Sequence, residues 1–108
     1  MITYTKGSGK HQVTLQQLKL GEDILLILTG GQQPHIGATI TKAPKEDIHI
    51  QQIGTHHDHI VLEPLTAKAA EKHPNNTIVA TGGIHIDNAT KKDIETVIQN
   101  CKELETCI

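Results

Sequence analysis

Alternating apolar and polar positions predict strands in the first half of the chain. Val13 and Leu15 alternate with polar neighbours, and the apolar phase then shifts to Leu18 and Leu20. We interpret this shift as a bulge in a strand that is half buried on one face. The next run, ILLILT, is apolar at every position except its last, which predicts a strand that is covered on both faces.

Two more strands are predicted after the first glycine-rich segment. They span residues 36–43 and 47–53 and are separated by a turn at Pro44. The apolar residues that share a face are Ile36, Ala38 and Ile40 in the first and Ile48 and Ile50 in the second. His49 falls on the opposite face of its strand, where we expect it to meet solvent.

The second half of the chain has helical character. The segment HHDHIVLEPLTAKAAEKH predicts a helix that begins either at Asp58, with Pro64 in its second turn, or near Pro64 with Glu63 at its cap. The strand NTIVATGG follows it. In the final helix, Thr90 and Asp93 have the spacing of a capping box. The apolar stripe of that helix is Ile94, Val97, Ile98, Cys101 and Leu104.

This order of elements predicts an α+β fold. Strands come first and two helices gather late, so we expect a mainly antiparallel sheet of five to six strands with helices packed on it. The chain has 108 residues and no linker-like stretch. We therefore expect residues 1–108 to form a single domain.

Composition narrows the classes of function. The chain has a formal net charge of -2, no arginine, and Tyr4 as its one aromatic residue. These features argue against nucleic-acid binding, which needs excess positive charge and rings for base stacking. ILLILT is too short to span a bilayer, and the first residues do not resemble a signal peptide. Cys101 and Cys107 match neither a disulfide framework nor a metal motif, so we expect a cytoplasmic protein.

The sequence TGG occurs twice, each time after a strand-like run and a few residues before a histidine. The first copy lies in TGGQQPHIG and the second in TGGIHID. Paired glycines permit positive φ and allow close approach to the backbone, so two such loops could hold a phosphate or carboxylate through N–H groups. The alternative is that both are tight turns. The glycine spacing matches neither a P-loop nor a dinucleotide fingerprint.

Histidines supply the other candidate chemistry. HHDH, residues 56–59, is the densest polar cluster, and His56, Asp58 and His59 could bind a transition metal. Alternatively, His57 and Asp58 form a polar loop and helix cap. His85 with Asp87 could act in acid–base chemistry or orient a ligand. No nucleophile stands in a catalytic motif, so we favour a non-catalytic protein.

The motifs LTGGQQPHIG, HHDH and ATGGIHIDNAT, in this order before a final amphipathic helix, resemble a family of small bacterial proteins. These are the prenylated-flavin chaperones, also described as the D subunit of gallate decarboxylase. The resemblance implies a fold like that of proteasome assembly chaperones. It also implies a homodimer that carries prenylated FMN to a prenylated-FMN-dependent decarboxylase acting on aromatic or unsaturated acids, whose large subunit would be the partner.

The resemblance further implies cofactor-binding positions within the matched motifs. They are Thr29, Gly30, Gly31, Pro34, His35 and Gly37, then His56, His57 and Asp58, and finally Thr81, Gly82, Gly83, His85 and Asp87. Without Phe or Trp, contacts from Ile, Pro or His would have to replace stacking on the flavin. Two other functions stay open: a small metal-binding protein or metal-dependent enzyme, and an assembly chaperone without a small ligand.

Overall fold

A computed structural model describes residues 1–55 and 57–108 as a six-stranded sheet with two α-helices. The strands are β1 (Ile2–Lys6), β2 (Val13–Leu20), β3 (Asp23–Gly31), β4 (Ala38–Lys42), β5 (His49–Gln52) and β6 (Ile78–His85), and the helices are α1 (His59–Lys72) and α2 (Lys91–Glu105). The strand order is β1-β2-β3-β6-β4-β5. Only β3 and β6 pair in parallel, and every other neighbouring pair is antiparallel. The predicted α+β class and mainly antiparallel sheet are confirmed.

Both helices pack on one face of the sheet. Helix α1 contacts β4 and β6, α2 contacts β1 and β2, and the helices contact each other. Alternate strand residues fill the layer between sheet and helices, as the period of two requires. The fully buried strand residues are Val13, Leu15, Leu26, Leu28, Ala38, Ile40, Ile78 and Ala80. From the helices, Leu62, Leu65 and Leu104 complete this core.

Two predictions about the strands were wrong. Strand β2 pairs with β3 residue by residue from Val13 to Leu20, so it has no bulge. Leu18 and Leu20 instead point to the face of the sheet opposite the helices. Strand β3 is also not covered on both faces, because Leu25 and Ile27 lie half exposed on that opposite face.

The helix-facing predictions hold better. Helix α1 begins after Asp58 and runs through Pro64, in agreement with the first of the two alternatives. Strand β4 buries Ala38 and Ile40 as expected, whereas Ile36 precedes the strand and is 64% exposed. His49 is exposed, as predicted. Strand β1 was not predicted, although its sequence ITYTK is rich in β-forming residues.

The start of α2 carries the predicted capping box. The Thr90 side chain accepts from the Asp93 N–H, and Asp93 Oδ2 accepts from the Thr90 N–H at 2.9 Å. Asp93 Oδ1 lies 2.8 Å from His11 Nε2 and 3.5 Å from Lys10 Nζ. The Thr90 N–H, followed by His11, holds the pKa of the Asp93 carboxyl well below its usual range.

We expect the Asp93 carboxylate to make the free energy of unfolding fall more steeply as the pH is lowered into the acid range. Because the pKa of Asp93 is lower in the folded chain, its contribution is complete above the unfolded value of about 3.9 and is lost as the pH falls below it. The urea midpoint of the unsubstituted chain should therefore drop more between pH 6 and pH 3 than that of Asp93→Asn. Glu95→Gln, an exposed acid-to-amide change on the same helix, should follow the unsubstituted chain. Equal drops for all three would contradict the assignment.

Candidate functional site

The two TGG motifs lie side by side at the carboxyl ends of the parallel strands β3 and β6. Thr29 is paired with Gly83, and Gly31 is paired with His85. The sequence could not establish this proximity. It follows from the parallel register, which aligns the ends of β3 and β6 at the same edge of the sheet.

Both motifs form the ends of strands. The strand NTIVATGG predicted this for the second motif, whereas the prediction that the first motif lies in a loop was wrong. The Gly31 N–H donates to the carbonyl of Gln12 at 3.2 Å, and the Gly37 N–H donates to the carbonyl of Gly82 at 2.8 Å. Gly31 has a φ of +74°, and a Cβ there would overlap the carbonyl oxygen of His85. These glycines therefore allow close backbone approach, and the N–H groups of Gly31 and Gly37 already bond to the protein.

Asp58 ties three segments together at this edge. Its side chain is only 9% exposed. Oδ2 lies 3.2 Å from Nε2 of His35, and Oδ1 accepts from the backbone N–H of Ile84 at 2.9 Å. The carboxylate thus joins the start of α1 to the segment after β3 and to the end of β6. Asp58 occupies the helix N-cap position but its side chain makes no capping bond, because both oxygens face away to these partners.

Two glycines make room for the pair formed by His35 and Asp58. A Cβ on Gly83 would lie 2.8 Å from His35 Nε2, closer than real Cβ contacts come. A Cβ on Gly37 would overlap Oδ2 of Asp58. The glycines at these two positions of the TGG..PHIG and GGIHID motifs are therefore required by packing around His35 and Asp58.

Both ring nitrogens of His35 face acceptors. Nε2 meets the Asp58 carboxylate, and Nδ1 lies 3.0 Å from the carbonyl oxygen of Gln33. These two contacts fix the orientation of the His35 ring between the Asp58 carboxylate and the Gln33 carbonyl.

His85 is the more accessible histidine of the site. Its ring centroid lies 6.4 Å from that of His35, at an interplanar angle of 81°. His85 Nε2 lies 2.9 Å from Asp87 Oδ1, and the two side chains are 42% and 68% exposed. The Asp87 N–H in turn donates to Gln32 Oε1 at 2.8 Å, which joins the segments that follow β3 and β6. This predicted acid–imidazole pair is present and open to a ligand.

Other predicted site residues lie farther from this centre or outside it. The Thr81 hydroxyl lies 2.9 Å from that of Thr39 and donates to the carbonyl of Ala38, so it is engaged within the sheet. Pro34 is exposed, and His57 is exposed with its ring 6.2 Å from that of His59. The predicted candidate His56 lies outside the described residues. Within residues 1–55 and 57–108, no three His, Cys, Asp or Glu side chains are grouped to hold a metal ion.

An apolar pocket of about 240 Å³ adjoins Asp58 between the starts of α1 and α2. Its principal apolar lining residues are Ile60, Ile84, Ile86, Ile94, Val97 and Ile98. The sequence does not reveal this pocket, because the apolar stripe of α2 predicts that Ile94 is buried. Ile94 is instead 52% exposed and faces the pocket.

Cys101 is buried beneath α2 and does not offer a reactive thiolate. Burial, with smaller contributions from the charges of Glu105 and Asp58, raises the pKa of its thiol to about 12. Cys101 and Cys107 are both free thiols. Neither α1 nor α2, the helices in the described part of the chain, is long and apolar enough to cross a membrane.

Comparison with known proteins supports the resemblance seen in the motifs. The profile of a family described as prenylated flavin chaperone LpdD-like domain matches residues 7–108. The chain is also similar to Protein LpdD of Lactiplantibacillus plantarum, with 29% identity over 101 residues. That alignment covers 87% of this chain and 72% of the relative. Residues 7–108, which the family profile matches, include every residue of the site described above.

Proposed function

Because the chain belongs to the prenylated flavin chaperone LpdD-like family, we propose that it is a non-catalytic accessory protein that binds prenylated FMN as cargo. It delivers this cargo to the large subunit of a prenylated-FMN-dependent decarboxylase that acts on aromatic or unsaturated acids. The observation that carries the proposal is the meeting of both TGG motifs around the His35–Asp58 pair. We infer that this protein acts in the cytoplasm, where its two thiols stay reduced.

The proposed site has two groups of residues: those that bind the phosphate, and those that shape the surface around it. The anionic phosphate of the flavin lies near the exposed ring of His85, because a side-chain donor there does not require a free backbone N–H. The residues that shape the surface around it are Thr29, Gly30, Gly31, Pro34, Gly37, His57, Asp58, Thr81, Gly82, Gly83 and Asp87. Asp87 orients the His85 ring through their hydrogen bond.

The flavin ring has no aromatic partner in this site. Tyr4, the one aromatic residue, lies on β1 at the edge of the sheet, three strands away from β6. The ring would instead contact Pro34 and Ile36, which are exposed beside His35, and the edge of an imidazole. Such contacts bind less tightly than stacking, which suits a carrier that must release its cargo.

We further propose that two copies associate through the uncovered face of the sheet. By register, one row across this face is Leu18, Leu25, Val79, Thr41 and His49, and the next is Thr3, Gln16, Ile27, Thr81, Thr39 and Gln51. These rows contain no Lys, Asp or Glu, so two such faces meet without like-charge repulsion. Thr29 and Gly83 border the face, which puts the candidate site at the seam.

The function is tested by anaerobic titration with prenylated FMN, with FMN as a comparison ligand. We expect saturable binding and a rise in melting temperature, because a ligand at about 100 times its Kd adds about 2.7 kcal/mol of stability. His85→Ala should weaken binding about tenfold, as loss of one charge-assisted contact does. His73→Ala, at the C-terminal end of α1 and away from both the site and the proposed dimer face, is the control and should bind normally.

Complex formation and metal content, measured beside this titration, distinguish the competing functions. An assembly chaperone without a small ligand would form a stable complex with a larger subunit and bind neither flavin. A metal-binding protein would contain stoichiometric metal when purified without a histidine tag, and His56 would be its first candidate ligand. Binding that is unchanged in His85→Ala would overturn the proposed contacts while leaving the carrier function intact.

A further inference from the structure

The apolar pocket between α1 and α2 leaves large hydrophobic side chains exposed to solvent. Ile60 is 55% exposed on α1 and Ile94 is 52% exposed on α2, and both line the pocket. Ile84 and Ile86 form its floor at the end of β6. Binding of an apolar group to such a surface is favourable, because it removes apolar area from water.

The pocket is continuous with the polar site through one residue. Asp58 lines the pocket, and its Oδ2 contacts His35 on the other side. Ile84 also lines the pocket, and its N–H donates to Asp58 Oδ1. A ligand held near His35 and His85 therefore has an apolar recess directly beside it.

Size and polarity define the occupant. Pockets that enclose whole drug-sized ligands have volumes of about 300–1,000 Å³, so this pocket of about 240 Å³ holds only part of a flavin nucleotide. Its lining is mostly apolar and includes the Asp58 carboxylate, so it does not suit an anionic phosphate. Branched isoleucine side chains fit a compact, branched hydrocarbon.

We propose that this pocket receives the isoprene-derived hydrocarbon ring that distinguishes prenylated FMN from FMN, an assignment that rests on the proposed carrier function. The polar site binds features that both flavins share, namely the phosphate and the ring edge. The pocket supplies the discrimination between them. A carrier built this way takes up the prenylated form in the presence of the more common flavin.

The expected preference of the unsubstituted chain for prenylated FMN over FMN is about 30-fold, which corresponds to about 2 kcal/mol. The double variant Ile60→Gln with Ile94→Gln should weaken binding of prenylated FMN about tenfold and leave binding of FMN unchanged. Both positions are more than half exposed, so the substitutions leave the core intact. Ile2→Gln is the matched control, because Ile2 is 51% exposed on β1 and does not line the pocket.

Ala89→Leu gives an independent test, since Ala89 is an exposed residue that lines the pocket and a larger side chain would fill it. This variant should also lose affinity for prenylated FMN alone. If both pocket variants keep the full preference, the hydrocarbon lies elsewhere and the assignment is wrong, although the carrier function stands. If the unsubstituted chain binds neither flavin, the assignment and the carrier function are both overturned.

Discussion

Asp58→Ala is expected to lower the free energy of unfolding by about 3 kcal/mol, because it leaves two largely buried hydrogen-bonding groups, the Ile84 N–H and the His35 ring, without their acceptor. The substitution removes the acceptor of the Ile84 N–H and the carboxylate opposite His35. It therefore releases the link between the start of α1, the segment after β3 and the end of β6. For a chain of this size, the melting temperature should fall by roughly 10–20 °C.

Urea denaturation followed by circular dichroism measures this effect. Asp87→Ala is the matched control, because Asp87 also contacts a histidine but is 68% exposed, and it should cost less than about 0.5 kcal/mol. Asp58→Asn should fall between the two, since an amide keeps one acceptor oxygen for the Ile84 N–H. Equal midpoints for Asp58→Ala and Asp87→Ala would show that the pair does not hold the site together.

Local signals in the sequence were sufficient for most of the elements. The period of two in residues 36–43 and 47–53 and the period of 3.6 in α2 identified these elements, although Ile36, Ile50 and Ile94 are each more than 40% exposed. The capping box sets the start of α2. The phase shift in β2 was misread because a bulge and a change of face produce the same pattern. Only the register with β3 distinguishes them, and register is a long-range property.

The candidate site was predicted in composition but not in arrangement. The sequence identified His35, Asp58 and His85 as candidates, and the structure brings them together. It did not reveal that Gly37 and Gly83 are glycines because they pack against His35 and Asp58. Such steric requirements arise between segments far apart in the chain, so no local pattern encodes them. The isoleucine pocket was not predicted for the same reason, because the exposure of Ile94 depends on the position of α1 relative to α2.

Dimerisation would explain why strand β3 is apolar on both faces. Ile24, Leu26 and Leu28 fill the core beneath the helices, whereas Leu25 and Ile27 face outward from a central strand. The sequence predicted cover on both faces, and one copy of the chain supplies cover for only one. A second copy that presents the same uncharged rows would supply the other, as in sheet-on-sheet packing.

Ile27→Lys is expected to convert a dimer into a monomer. Ile27 lies on the central strand β3, in the second of the two rows of the uncovered face described above. A two-fold arrangement therefore brings both substituted side chains into the buried interface. Two unpaired lysines in a dry interface should weaken association at least about 100-fold, which corresponds to about 3 kcal/mol. Sedimentation equilibrium across a concentration series measures the change.

Ile94→Lys makes the same substitution on the helical layer, where it is already 52% exposed, and should sediment as the unsubstituted chain does. Circular dichroism should give the same spectrum for all three chains, because Ile27 lies outside the core and a lysine there meets water in the monomer. A monomeric unsubstituted chain would overturn the proposed dimer, whereas a dimer that Ile27→Lys leaves unchanged while Ile94→Lys dissociates it would place the interface on the helices. In that case the apolar rows of the sheet would await the decarboxylase subunit as their partner, and Ile27→Lys should then weaken that complex.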